Sequence, residues 1–335
     1  MPQPTLGDVH INGPLTNMSV GYLQDAKNFV ADQVFPGIPV NNKSDLYWIY
    51  NRGDFFRNGM AERADGDPAA GAGYKLDTGT YVATVWSLLK KIGDQTRANS
   101  KQPLQPDRDA VSFLVQQALI NREVNFNTNY MATGVWGYER AGAATGNGTT
   151  QVQYWNTSGS DPIADVLDAK IAILEETGFE PNTLVLSART KRALKRNASI
   201  LDLLKYGQTP GSAAMVKDSD LAQLFEVDRV LTMKGTQTTS APNQNNNSDT
   251  LPDTFSLIGG KNALLVYSAP SPGLMVPSAG YTFNWTDFLG ATAGGYRIKK
   301  YRWEINSADH VEIDSAYAQA LVSKYLGAFF LNVVQ

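Results

Sequence analysis

The sequence predicts an α+β chain, and three patterns predict it. A helix-period apolar stripe runs from about Pro106 to Thr133. A strand-period alternation runs from Tyr296 to Asn306. Between and before them lie short apolar runs bounded by Gly, Pro and Asn, which read as strands and loops. The chain has 335 residues, 42% of them hydrophobic and 18% charged, a globular balance. That length fits one or two intertwined domains.

The first 40 residues show little periodicity, apart from a short helix ending at Asn28–Ala31. Val34-Phe35-Pro36-Gly37-Ile38-Pro39-Val40 holds two prolines at a spacing that forbids a regular helix or a central strand. It should be extended and lay Phe35, Ile38 and Val40 on a neighbouring surface, such as that of another subunit. Asp45-Leu46-Tyr47-Trp48-Ile49-Tyr50 is apolar on both alternating faces, so both faces of that strand should be covered. Residues 57–73 carry Gly59, Gly66, Asp67-Pro68, Gly71 and Gly73 and read as a flexible tip, with Gly66, Gly71 and Gly73 as hinge positions. Tyr81–Trp86 reads as the returning strand. A long isolated hairpin is marginally stable in water, so Tyr47, Trp48, Tyr50 and Trp86 are expected to contact another subunit.

In the long helix Asp107 and Asp109 suit the positive end of the helix dipole. Val111, Leu114, Val115, Ala118, Leu119, Arg122, Phe126 and Tyr130 share one face, and Gly134 ends it. Gly142–Gly159 reads as a polar loop. Ser160 or Asp161 then caps a helix with Pro162 in its first turn, an apolar face of Ile163, Val166, Leu167, Ile171 and Leu174, and a stop at Gly178. Thr183–Ser187 is a buried strand; helices are expected at 190–196 and 219–225, and strands at 229–233, 255–258 and 263–267. Residues 234–253 form a polar loop. His310–Ile313 and Gly327–Val334 close the chain as strands.

Several chemistries are poorly supplied. There is no cysteine, so no disulfide or thiolate metal site, and the two histidines, His10 and His310, stand alone. Net charge is −3, without the basic surplus of a tight nucleic-acid binder. The start lacks the pattern of a signal peptide, and no run is long and apolar enough to span a membrane, so no membrane partner is expected. Asn-x-Ser/Thr triplets at Asn17, Asn147 and Asn284 are taken as chance. Ser87-Leu88-Leu89-Lys90 matches Ser-x-x-Lys without its companion motifs and reads as strand packing. Gly259-Gly260-Lys261 lacks the rest of a phosphate loop and reads as a tight hairpin turn. Asp161, Asp165 and Asp168 read as helix-start acids rather than metal ligands. The run Arg297, Lys299, Lys300, Arg302 could touch DNA or form inter-subunit salt bridges. No catalytic residue, cofactor or metal site emerges, so the chain is not expected to be an enzyme.

The order of parts resembles the major capsid proteins of tailed bacteriophages. Val34–Val40 followed by Lys43-Ser44-Asp45-Leu46-Tyr47 is similar to the junction of arm and hairpin in one branch of that family. Asp161–Val166 through Thr177–Ser187 resembles the start of its axial domain, and Leu203-Leu204-Lys205-Tyr206 and Leu221–Val230 continue the pattern. The resemblance covers nearly the whole chain and implies the Hong Kong-97-type fold. On it, 1–44 is an N-terminal arm and 45–92 an extended loop. Residues 103–160 with 294–335 form a peripheral domain around a spine helix at 106–133, and 161–293 an axial domain. It implies a structural protein that self-assembles into pentamers and hexamers of an icosahedral shell around double-stranded DNA, held by weak non-specific contact. The partners implied are a separate scaffolding protein, a portal and a decoration protein; the protein would end in the virion after assembly in the host bacterial cytoplasm. No fused scaffold, large cleaved propeptide or cross-link through Lys75 or Lys90 is expected. The alternatives are an encapsulin-like compartment shell and, from another class, a secreted or surface binding protein.

Overall fold

The computed structural model describes residues 23–100, 105–207, 216–240, 254–273, 275–290 and 295–335. His10 and residues 241–253 of the expected polar loop lie outside them, as do the side chains of Lys205 and Tyr206. In chain order the elements begin with α1 (Ala31–Val34), β1 (Gly37–Val40), β2 (Ser44–Tyr50), α2 (Arg52–Phe55), β3 (Leu76–Val82) and β4 (Thr84–Gly93). Then come α3 (Asp94–Asn99), α4 (Pro106–Tyr130), β5 (Tyr138–Ala143), β6 (Gln151–Gln153), α5 (Pro162–Thr177), β7 (Thr183–Ser187), α6 (Ala188–Leu194) and α7 (Ala198–Gly207). The chain continues through α8 (Asp218–Leu224), β8 (Arg229–Met233), β9 (Thr236–Thr238), β10 (Phe255–Leu257), β11 (Ala263–Val266) and β12 (Gly280–Trp285). It ends with α9 (Thr286–Leu289), β13 (Tyr296–Trp303), β14 (Ala308–Leu321) and β15 (Gly327–Leu331).

Two sheets carry the fold. One is five-stranded, ordered β1-β12-β14-β13 with β4 also paired to β14; the other is six-stranded, ordered β6-β5-β15-β11-β7-β8. The spine helix α4 joins them. Its first turns set Ala110 and Leu114 on Ile92, Val311 and Ile313 of the five-stranded sheet. Its last turns set Phe126 and Tyr130 in a core shared with Val185, Leu264 and Phe329 of the six-stranded one. At 25 residues it is about 37 Å long. It stops at Tyr130, short of the expected Thr133, because the Trp136 indole N–H donates to the Tyr130 carbonyl at 2.7 Å. The Glu139 carboxylate meanwhile accepts the backbone N–H groups of Gly134, Val135 and Trp136. Those bonds turn the chain before another helical turn can form.

Helix α5 begins as its sequence directs. The Asp161 carboxylate accepts from the N–H groups of Ile163 and Ala164, Pro162 occupies the first turn, and Gly178 closes it in the left-handed region at φ 70°. Its buried face differs from the expected one. Val166, Ala169 and Ile173 seat it on the six-stranded sheet, while Ile171 is 54% exposed and Leu174 is also exposed. Small Ala169 allows the close approach, which rotates the larger side chains outward.

Other expectations are corrected. The strand returning from the hairpin is Leu76–Val82, not Tyr81–Trp86; Trp86 lies on β4, opposite Ser315 in the five-stranded sheet. The expected loop at 142–159 contains the end of β5 and all of β6. Gly259–Lys261 does not turn a hairpin, because β10 pairs with β9 and β11 with β7 and β15. The sheets also cut across the domain limits drawn from the resemblance: β5, β6 and β15 join the six-stranded sheet with 183–266, and β12 joins the five-stranded one.

Candidate assembly surface

The β2–β3 ribbon pairs Ser44 with Val82 through Tyr50 with Leu76, and alternation gives it two different faces. On the inner face Tyr47 and Tyr81 stack on the Phe283 ring of β12, at 5.7 and 4.3 Å between centroids. Gly79 stands opposite Tyr47, and a Cβ built there would lie 2.3 Å from that ring, so only glycine lets the ring cross the partner strand. The outer face carries Ser44, Leu46, Trp48, Tyr50, Leu76, Thr78, Thr80 and Val82, without one charge. Trp48 is 62% and Leu46 56% exposed, and Leu76 and Val82 are exposed beside them. Among the described residues nothing supplies the expected cover on this face. An exposed uncharged surface of this kind is a candidate interaction site.

Beyond the ribbon, Tyr50, Phe55 and Tyr74 pack ring on ring at 5.5–5.9 Å. Asn51 caps α2 by accepting from the Gly53 N–H. Residues 55–78 are exposed throughout, and Gly66, at φ 86°, and Gly71 and Gly73 have open space where a side chain would go. The base of this tip rests on the chain's own body: Arg52 bonds Glu176 at 3.1 Å and lies 4.0 Å over the Tyr325 ring.

The arm behaves otherwise than expected. Phe35 is fully buried in the chain's own core, its ring against Phe126 and Tyr130, and cannot reach a neighbour in this state. Ile38 and Val40 are half-buried on β1, which pairs in parallel with β12. The Glu123 carboxylate, fully buried on α4, accepts from the N–H groups of Val30 and Ala31 at 2.9 and 2.8 Å. Burial pushes its carboxyl up to about 7, against the pull of those two hydrogen bonds. Its neighbour Arg122 bonds Asp32 and Asn284, each at 2.7 Å.

The basic run on β13 is spent within the chain. Arg297 and Lys299 hold Asp314 at 3.0 and 2.6 Å, Lys300 holds Asp107 at 3.0 Å, and Arg302 reaches Asp94, Glu304 and Asp309. This corrects the expectation of DNA contact or inter-subunit bridges. His310 is buried between the Tyr301 and Trp303 rings. Ser87 and Lys90 differ by an odd number of residues on β4 and so face opposite ways, while the Ser87 hydroxyl donates to Asp314. The acids of α5 diverge: Asp161 caps, Asp165 accepts from the Trp155 indole N–H at 2.9 Å, and Asp168 lies 3.9 Å from Arg140. Among the described residues no group of three or more His, Asp or Glu could hold a metal ion, and no helix is long and apolar enough to cross a membrane.

One exposed apolar feature escaped the sequence reading. Leu167, Ile171 and Leu174 wall a shallow groove of about 240 Å³, floored by Lys170 between Glu180 and Glu226. These are three of the five residues that sequence periodicity assigns to the core; the other two, Ile163 and Val166, do pack there.

No family model matches the chain. It is 24% identical over 329 residues to the major capsid protein of Pseudomonas phage JBD67, covering 97% of each chain. It is 30% identical over 76 residues, about a quarter of each chain, to the major capsid protein of Burkholderia phage BcepMu. Among solved structures it is similar to a phage-related protein of Bordetella bronchiseptica, with TM-score 0.66, 19% identity and 91% and 92% of the two chains covered. The capsid of cyanophage P-SCSP1u gives TM-score 0.62 at 9% identity over 98% and 95%. The SrpI encapsulin of Synechococcus elongatus gives 0.54 at 12% identity over 96% and 95%. With arm, hairpin, spine helix and two sheets in this order, the chain has the Hong Kong-97-type fold of phage capsid proteins, and along nearly its whole length it is similar in sequence to a phage major capsid protein.

Proposed function

We propose that copies of this chain join as pentamers and hexamers into the icosahedral shell of a tailed-phage head, enclosing double-stranded DNA, and that the chain performs no catalysis. The uncharged outer face of the β2–β3 ribbon carries this reading. Covering the exposed parts of Trp48 and Leu46 on a neighbour would stabilise each contact by on the order of 2–4 kcal/mol. Each subunit makes several such contacts at once, so modest ones suffice for a closed shell. Tyr50 and Trp86 add half-exposed aromatic surface, and Ile38, Val40 and Tyr47 support the ribbon from beneath. The tip at Gly66–Gly73 has the freedom to fit the slightly different geometries of five-fold and six-fold positions. The arm, extended loop, peripheral domain and axial domain keep their implied roles, with the sheet memberships described above.

A separate scaffolding protein, a portal and a decoration protein are the further partners of this reading, with assembly in the host cytoplasm. The encapsulin likeness in fold favours the same shell-building role with protein cargo; DNA in purified particles separates the two. Deleting residues 65–73 should leave a folded subunit that assembles poorly. Normal particles from that deletion would overturn the role given to the tip.

A further inference from the structure

Helix α6 carries an unusual charge pattern. Residues 189–196 hold five cations, Arg189, Lys191, Arg192, Lys195 and Arg196, and no acid occurs from Pro181 to Leu201. The helix is anchored by buried Thr190, Ala193 and Leu194. Both lysines bend back into the chain: Lys191 reaches Asp218 at 2.6 Å and the Thr232 hydroxyl at 2.9 Å, and Lys195 lies 3.8 Å from Asp218. The three arginines do the opposite. Arg189, Arg192 and Arg196 are exposed, and no described residue offers any of them a hydrogen bond or ion pair. By contrast Arg97, Arg122, Arg229, Arg297 and Arg302 are engaged, and Arg57 and Arg108, which also lack a partner among the described residues, stand singly rather than in a cluster.

Within the subunit this arrangement is unfavourable. Arg189 sits in the first turn, where the helix dipole disfavours a cation. Arg189 and Arg192 are three residues apart on the helix, a spacing at which like charges repel, and Arg196 follows two residues past its end. Helix-end stabilisation would account for Arg196 but not for Arg189. Among the described residues no counter-charge is supplied, which leaves all three guanidinium groups open to an outside anion. Arg189 and Arg192 lie on the helix and Arg196 in the turn just beyond its end, and a guanidinium fork matches phosphate geometry.

We propose that Arg189, Arg192 and Arg196 form an anion-binding face that takes the phosphate backbone of double-stranded DNA. The proposal rests on the shell reading above, which supplies enclosed DNA as the polyanion. Three phosphate contacts per subunit make a weak, sequence-independent grip, in keeping with an otherwise acidic chain.

The test uses the full-length protein and a labelled duplex of arbitrary sequence, with affinity measured by anisotropy from low to moderate salt. Electron micrographs of the same preparations are taken alongside. The native chain should bind with log K falling as log salt rises, and R189A/R192A/R196A should flatten that slope by about 2.7, roughly 0.9 per lost phosphate contact. The triple lysine variant should keep the slope, and all three proteins should form the same particles. Equal slopes for the native and alanine proteins, or no binding by the native chain at low salt, overturn the proposal while particles leave the shell reading intact. Absence of particles from the native chain counts against the shell reading instead. Polyglutamate of equal charge bound more tightly than DNA, through the same arginines, would identify an acidic protein segment as the ligand and overturn the assignment to DNA.

Discussion

Glu123→Gln should remove one specific pH dependence from the stability of the subunit. Glu123 is fully buried, and its carboxyl is raised from an ordinary 4.5 to about 7, chiefly by burial and in small part by Asp32. A carboxyl raised on folding binds more protons in the folded than in the unfolded state between those two values. Stability is therefore greatest below about 4.5 and falls as pH rises to about 7, after which it is level. The difference of about 2.5 units corresponds to roughly 3 kcal/mol. Glutamine can still offer a carbonyl to the N–H groups of Val30 and Ala31, but it cannot ionise. Urea denaturation of both proteins in steps from pH 5 to 8.5 gives the result directly. The stability gap between wild type and variant should move by about 3 kcal/mol in favour of the variant as pH rises. A gap constant across that range would refute the assignment of a buried, proton-holding Glu123 beneath the arm.

Two further perturbations probe the five-stranded sheet and the ribbon. Burial alone would raise Asp314, but Lys299, Ser87 and Arg297 hold it down to about 2, so its pairs stabilise the fold above about 4 and are lost as pH falls towards 2. Asp314→Asn should lower stability at neutral pH and flatten the acid limb between pH 4 and 2, read by circular dichroism; an unchanged acid limb would contradict it. Gly79→Ala should push the Tyr47 ring off Phe283, cost about 1–3 kcal/mol and speed tryptic cleavage at Arg57 and Arg63. Wild-type cleavage rates would show that the ribbon does not depend on that crossing.

Much of the fold was legible because local signals and global structure agree. Helix α4 has its stripe, and α5 has Asp161, Pro162 and Gly178 in the positions a helix start and stop require. The errors have physical sources. Phe35 reads as an arm residue in search of a partner because prolines surround it, yet α4 of the same chain covers it. Strand β12 was missed although Tyr281, Phe283 and Trp285 alternate with Gly280, Thr282 and Asn284, a strand signal that was there to be read; only its pairing with β1 and β14 comes from remote segments. The stripe on α5 was right at Ile163 and Val166 but not at Ile171 and Leu174, because Ala169 and Ile173 complete the buried face instead. The charges of β13 are read as free from sequence because their partners on β14 and at Asp94 and Asp107 come from remote segments. The ribbon's aromatic residues were identified, but which of them point outward depends on pairing register, which a one-residue shift would invert.

The central claim is that the uncharged face of the β2–β3 ribbon joins subunits. Negative-stain electron microscopy with size-exclusion chromatography, on the native chain and on Trp48→Asp, tests it most directly. The native chain should give closed shells or rings of five and six, and the variant a folded subunit with a wild-type melting profile that stays unassembled. Trp48→Asp shells indistinguishable from native ones would contradict the claim.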